Sequence, residues 1–385
     1  MSTSHRSTHP EELGGRESRT WQWNLMPGRP DVAAFPRTDW LAATRRAITS
    51  MAATDLGYGD ELGHPRLRNA LADYLGRVRG VVVAPDQIAV CSGYVQALGL
   101  LASALRADGA RSVAFEDPSL PECRRAVEAA GLATVGVPVD GRGIRVDALA
   151  ELLARRDRPA AVVVTPAHQY PLGATLHSHR RAELVELARA TDTLIIEDDY
   201  DGEFRFDRQP VGALQALAPD LVVYAGTASK TLAPGLRLSW LVLPDRLRPP
   251  VRTAKFFADR HKGVIEQLTL AELMTAGHYD RHVRRCRTRY RRRRDKVVAL
   301  LTELGGRLTP AGIAAGLHVV VLVGDEPREA EVLARTERLS VRVEGLGRCW
   351  MSDGPHPGGI VVGYAAPADH AFAPALSALA ECVVH

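Results

Sequence analysis

Short, wholly apolar runs alternate along this chain with stretches in which apolar residues recur every three or four positions. The runs at 88–90, 112–115, 134–137, 161–164, 194–196, 221–225 and 238–243 read as buried strands. The periodic stretches at 95–105, 121–130, 146–154 and 180–190 read as the helices between them. Strands and helices in this order predict an α/β fold, a mostly parallel, doubly wound sheet of seven strands. Such sheets bind ligands at the carboxyl ends of their strands. Ahead of this region, residues 21–40 carry three prolines, one glycine and several aromatics, the pattern of an extended arm pinned onto something else. A helix is expected at 41–54, a turn-rich YGDELG at 58–63, and an amphipathic helix at 66–77 with Leu67, Leu71 and Leu75 on one face. After about residue 250 the pattern changes to long helices, to about 304. Shorter strands follow at 317–323, 340–343 and 360–364, then a last helix at 373–383, all implying a smaller α+β domain. The expected division is a disordered tail at 1–20, an N-terminal arm at 21–50, a large domain at 51–280 and a small C-terminal domain at 281–385.

Composition narrows the class. A chain of 385 residues, 46% hydrophobic and 24% charged, is ordinary for a soluble globular protein. No apolar run approaches the ~20 residues that cross a bilayer, so no membrane partner is expected. The first twenty residues are polar and lack the apolar segment of a signal peptide. Five scattered cysteines without metal-type spacing read as reduced thiols, which places the chain in the cytoplasm. The net charge of +4 is uneven: residues 281–294 read RHVRRCRTRYRRRR. That run is either a nucleic-acid stripe or a long solvated helix. Val283, Arg287 and Tyr290 at helical spacing, with no DNA-binding pattern nearby, favour the helix, so no nucleic acid is expected as partner.

Candidate chemistry centres on YAGTASKTLAPGLRLSWLVL, residues 224–243. Its one lysine, Lys230, lies among Gly226, Thr227, Ala228 and Ser229, which do little to hold it in water. Desolvation disfavours the ammonium and leaves an amine nucleophile. Thr227, Ser229 and Arg237 supply two hydroxyls and a fixed cation, a cradle for phosphate. Together they point to a Schiff base with pyridoxal phosphate; the alternative is a plain strand–loop–strand with a surface lysine. After the first strand, SGYVQA puts Ser92, Gly93 and Tyr94 where a helix opens and its free N–H groups take an anion. After the strand at 194–196, EDDYDGEF concentrates carboxylates at a strand end. One use is an aspartate, Asp198, that keeps a pyridine nitrogen protonated, with Tyr200 donating to the ring phenolate. A Mg²⁺ or Ca²⁺ site is the other, but no second acidic cluster or GK[ST] accompanies it. TPAHQYPLGA (165–174) forms a turn able to press a side chain onto a cofactor ring; His168 within it reads as structural.

YGDELGHPRLRNALADYL, SGYVQAL, TPAHQYPLGAT, IIEDDYDGEFRF and GTASKTLAPGLRL together resemble the aminotransferase-like domain of the MocR branch of GntR regulators. That domain is similar to fold-type-I pyridoxal-phosphate aminotransferases. The resemblance implies a large PLP-binding domain with a small C-terminal domain, and pyridoxal 5'-phosphate as cofactor. It implies Lys230 as the Schiff-base lysine, Asp198 beneath the pyridine nitrogen, and Tyr200 and Tyr170 at the ring oxygen. Ser92, Gly93, Tyr94, Thr227 and Arg237 match phosphate-binding positions, and Gly28 the arm glycine over the substrate. Tyr58 matches the tyrosine lent by a partner subunit, which implies a homodimer with shared sites.

Departures from the pattern shape the expected function. Only some twenty polar residues precede the arm, so no winged helix is expected ahead of it. EDPSLP (116–121) puts Leu120 where an aromatic usually stacks on the ring, and GIVVGY (359–364) puts Val361 where an arginine usually holds the substrate carboxylate. The expectation is a class I/II aminotransferase-type enzyme acting at Cα of an amino-acid-like substrate in a specialised biosynthetic pathway. Elimination, replacement or carbon–carbon bond formation on a larger derivative is the alternative outcome, and a cofactor-binding sensor domain the alternative class.

Overall fold

A computed structural model describes residues 20–206, 211–305, 308–312 and 314–383. The tail expected at 1–20 therefore lies outside the described residues except for its last position. In chain order the first elements are β1 (Trp23–Asn24), α1 (Arg37–Ser50), α2 (Pro65–Arg79), β2 (Ile88–Cys91), α3 (Tyr94–Ala107), β3 (Ser112–Asp117), α4 (Pro121–Ala129), β4 (Ala133–Asp140) and β5 (Gly143–Ile144). There follow α5 (Val146–Leu153), β6 (Ala161–Val164), α6 (Ser178–Thr191), β7 (Leu194–Asp199), β8 (Val222–Thr227) and β9 (Ser239–Val242). The chain continues through α7 (Arg248–Ala258), α8 (Val264–Thr275), α9 (His278–Leu304), β10 (Thr309–Ala311), β11 (His318–Gly324) and α10 (Glu326–Arg338). It ends with β12 (Val341–Arg342), β13 (Glu344–Gly345), β14 (Gly358–Gly363) and α11 (Asp369–Val383).

The large sheet runs β2-β9-β8-β7-β6-β3-β4-β5. β8, β7, β6, β3 and β4 are parallel, and β2, β9 and β5 are antiparallel to their neighbours. Seven of these strands are the apolar runs read from sequence. The eighth corrects that count: β5 is two residues long and folds back on β4 through a tight turn, too short to register as a run. β2, β6, β8 and β9 are buried along their whole length, which is why they read as continuous apolar segments rather than alternating ones. Helices cover both faces. α3, α4 and α7 close one core, and α5 and α6 another on the opposite face. α2 illustrates how locally these helices are specified. Pro65 occupies its first turn, the His64 ring accepts from Arg66 N, Leu67, Leu71 and Leu75 face inward, and Gly80 ends it at φ 68°.

A second, antiparallel sheet, β10-β11-β14-β13, packs against α9, α10 and α11. α10 is absent from the sequence expectation because its inward face is largely polar: Glu329 and Thr336 are buried beside Val332. Glu329 is buried to accept N–H groups of Gly347 and Gly359, which ties the helix to the sheet edge. The arm attaches to this smaller unit. β1 pairs in parallel with β12, Trp23 N donating to Ser340 O at 3.0 Å and Leu25 N to Arg342 O at 2.8 Å. The chain then passes over the large sheet before α1 packs on α8.

The arginine-rich run lies within α9 and is a solvated helix. Its buried stripe, Tyr279, Val283, Cys286, Tyr290, Arg293, Val297 and Leu301, repeats every three to four residues. Tyr279 and Val283 belong to the core around α2, whereas Cys286 and Tyr290 belong to that of the small sheet. One helix thus joins both units, and the division at 280/281 falls in its first turn. No described helix is long and apolar enough to cross a membrane. The described cysteines are all free and buried.

Candidate active site

β8 runs in the same direction as β7 and ends at Thr227, where the small-residue loop begins. Ala228 N donates to Leu238 O (3.0 Å) and Leu232 N to Ala228 O (2.8 Å), closing a tight turn. The Thr227 hydroxyl donates to Ser229 Oγ at 2.9 Å and accepts from Ser229 N at 3.1 Å. This turn presents Lys230 to the arm. Its Nζ donates to Gly28 O at 2.6 Å, across 202 residues of sequence. Gly28 has φ +66°, and a Cβ there would stand 3.1 Å from that nitrogen, so the arm passes this closely only as glycine. Burial pulls the Lys230 ammonium below its ordinary pKa, against the opposing charges of Asp198 and Asp201.

On the facing side, Gly93 caps α3 at φ 103°. A Cβ on it would come within 2.6–2.7 Å of three guanidinium atoms of Arg237, so the guanidinium lies directly against the glycine. Arg237 itself adopts φ 51°; its backbone N–H donates to Pro234 O at 3.1 Å, and its side chain makes no hydrogen bond or ion pair among the described residues. The N–H groups of Ser92 and Gly93 are taken by Gln96 Oε1 (2.6 Å) and Ser239 Oγ (3.0 Å). The groups here that could hold an anion are the open first turn of α3, Arg237 and the Thr227–Ser229 hydroxyls.

Most carboxylates of the acidic run are engaged. Glu197 accepts from Leu214 N and Gln215 N, both 2.8 Å. Asp199 accepts from Arg79 Nε (2.6 Å) and Tyr224 Oη (2.7 Å). Asp201 lies 2.9 Å from His168 Nδ1. Asp198 has neither ion pair nor backbone cap among the described residues. Burial and the charge of Asp199 hold its carboxyl well above the usual range, with Lys230 pulling the other way. The buried Tyr94 hydroxyl faces Asp198; burial and then the charge of Asp198 push its pKa up. A basic ring nitrogen beside Asp198, and a phosphate between Arg237 and α3, fit what this pocket leaves open. These residues fit pyridoxal phosphate.

The two tyrosines expected at the ring oxygen are both present and both engaged. Tyr200 Oη donates to His168 O at 3.0 Å and lies 3.1 Å from His168 Nδ1. Tyr170 Oη donates to Glu344 Oε2 at 2.7 Å, and its ring meets that of Tyr200 edge-on at 6.3 Å. The His168 ring lies 4.9 Å from that of His318 at a tilt of 40°, and its carbonyl takes the Tyr200 hydroxyl. Tyr58 stands apart: it is 84% exposed, with the Arg260 guanidinium 4.7 Å over its ring, and none of its contacts reaches the Lys230 loop of its own chain.

The departures have structural meaning. Leu120 caps α4, half-buried against the core beside Tyr94. Val361 is buried with Val320 and Leu346. Its cross-strand partner is Glu344, so the two share a sheet face. A carboxylate thus stands beside the place of the usual arginine. Arg348 pairs with Glu344 and with Glu122 (2.6 Å), and so is held between two carboxylates. Ser239, Glu344 and Arg29 were not legible as site residues; only Ser239, next to the lysine loop, carried a signal of position.

Comparison with known proteins agrees with this geometry. The family described as Aminotransferase class I and II matches residues 23–345. The pyridoxine biosynthesis transcriptional regulator PdxR of Corynebacterium glutamicum is 36% identical over 342 residues, 89% of this chain and 72% of its own length. Aromatic-amino-acid aminotransferase 1 of Thermococcus litoralis is 30% identical over 285 residues, 73% of this chain and 68% of its own. A crystal structure of Pyrococcus horikoshii kynurenine aminotransferase superposes with a TM-score of 0.87 at 25% identity, covering 99% of this chain and 95% of that one. The chain belongs to the class I and II aminotransferase family, and pyridoxal 5'-phosphate is the cofactor that this membership implies.

Proposed function

We propose that this protein is a pyridoxal-phosphate enzyme acting at Cα of an amino-acid substrate in a specialised pathway, and that it is not a general α-keto-acid transaminase. The observation that carries the reading is Lys230, its pKa lowered by burial, held on the Gly28 carbonyl within the field of Asp198. The cofactor, when bound, supplies an electron sink for the pair released at Cα. Lys230 is the amine that holds it and then moves the proton at Cα. Asp198 holds a proton at the ring nitrogen, and Arg237, Thr227, Ser229 and the first turn of α3 bind the phosphate. Tyr200, oriented by His168, and Tyr170, oriented by Glu344, stand at the ring oxygen. Val361 beside Glu344 supports exclusion of a simple substrate carboxylate from that side. Leu120 in place of an aromatic leaves room for a larger substrate, which favours elimination, replacement or carbon–carbon bond formation over simple reprotonation.

Exposed Tyr58, Phe257, Leu41 and Leu56 support a homodimer in which each site borrows Tyr58 from its neighbour. Reduced cysteines support a cytoplasmic location. The test is an absorbance screen of the purified protein against amino acids and activated amino-acid derivatives, with and without 2-oxoglutarate. Spectral change and product with a derivative, and slow turnover of glutamate, alanine or aspartate, are expected. Multiple turnovers of those three at ordinary rates, about 1–10³ per second, would restore the plain aminotransferase reading. A second reading, ligand sensing without turnover, draws on the regulators among the relatives. It is the better one if amino acids change the spectrum and no product forms.

A further inference from the structure

We propose that Arg29 is the residue that binds the substrate's carboxylate, so that the substrate is an amine carrying a carboxylate turned toward the N-terminal arm; this rests on the proposed function above. The usual position for such a cation is closed. Val361 stands there in an apolar cluster with Val320 and Leu346, and its cross-strand neighbour Glu344 is negative. Arg348 is held by Glu344 and Glu122. Arg237 lies in the phosphate cradle against Gly93.

Arg29 remains. It directly follows Gly28, whose carbonyl takes Lys230 Nζ at 2.6 Å, so its backbone is fixed beside the reacting amine. It is half-buried, and makes no hydrogen bond or ion pair among the described residues. The nearby acid does not neutralise it. Asp31 Oδ1 accepts from Ala33 N and Ala34 N, and Oδ2 is held by Arg289 (2.7 Å) and Arg293 (3.5 Å). The positive charge of Arg29 reaches Lys230, adding to the effect of burial there. A partly desolvated guanidinium without a protein partner, beside the nucleophile, matches a carboxylate in a two-point contact. The arm thus does two things with adjacent residues: Gly28 lets the chain pass close over Lys230, and Arg29 sets which ligands stay there.

The test uses the full-length protein loaded with pyridoxal phosphate and follows ligand binding through the visible band of the bound cofactor. Probes are succinate, leucine and 3-methylbutylamine; the last two differ only by the carboxylate. Arg29→Gln should weaken leucine and succinate about ten- to a hundredfold, the range of a charge-assisted hydrogen bond. It should leave 3-methylbutylamine, cofactor content and melting temperature unchanged, and Arg29→Lys should recover part of the loss. Unaltered affinities in Arg29→Gln overturn the proposal. So does loss of the carboxylate effect in Arg348→Gln instead, or a loaded wild-type protein that responds to neither carboxylate. A protein that shows no visible band at all overturns the proposed function itself, an outcome that the band distinguishes from the others.

Discussion

The phosphate cradle is open to a direct test through Gly93→Ala. Gly93 has φ 103°, and the added Cβ would fall 2.6–2.7 Å from the Arg237 guanidinium. Two consequences follow, and they separate. The backbone must hold an L-residue at φ 103°, ψ 159°, a region populated essentially by glycine alone, which costs about 1–3 kcal/mol of stability. The guanidinium must also move away, which costs the apo fold little, because Arg237 is exposed and has no protein partner to lose. What it loses is the contact with phosphate, about 1.5–3 kcal/mol for a charge-assisted hydrogen bond, or roughly ten- to a hundredfold in cofactor affinity. Urea unfolding of the apo protein reads the first term and spectrophotometric titration with pyridoxal phosphate the second. Arg237→Gln should reproduce the affinity loss without the stability loss. The double variant should bind no more weakly than Arg237→Gln alone, since both substitutions remove one contact. Wild-type cofactor affinity in Gly93→Ala, or a fully additive double variant, refutes the reasoning.

Lys230→Ala should lose the borohydride-trapped covalent adduct yet still bind free cofactor through the phosphate contacts; an unchanged adduct by mass spectrometry would place the covalent link elsewhere. Mixed subunits carrying Tyr58→Phe and Lys230→Ala should regain partial activity as heterodimers, and an active monomer by light scattering would sink the shared-site reading. Arg79→Met should cost about 3–5 kcal/mol in denaturant unfolding, because it leaves buried Asp199 with only the Tyr224 hydroxyl at 2.7 Å; a loss below 1 kcal/mol would contradict this. Burial pushes the Glu116 carboxyl from 4.5 up to about 7, so its contribution to stability is present below about pH 4.5 and is lost as pH rises toward 7. Glu116→Gln should therefore compare better with wild type at pH 8 than at pH 5.5, by about 2 kcal/mol; thermal unfolding at both values checks it, and a constant difference rejects it.

The order of strands and helices, the lysine loop and the acidic strand end were legible in the sequence because each is written in contiguous residues. Wholly buried strands need unbroken apolar runs, and a loop between two of them that carries one lysine is visible without knowing where it points. β5 and α10 were not legible. One is too short to form a pattern, and the other buries Glu329 and Thr336, which disguise its inner face. The site depended still more on tertiary structure. Gly28 meets Lys230 across 202 residues. Glu344 takes the Tyr170 hydroxyl across 174, and Arg237 lies on Gly93 from the far end of a different loop. Periodicity reports only which way a residue faces along its own element. Which charges remain unpaired among the described residues, Arg29 and Arg237 among them, is decided by what the rest of the chain brings alongside.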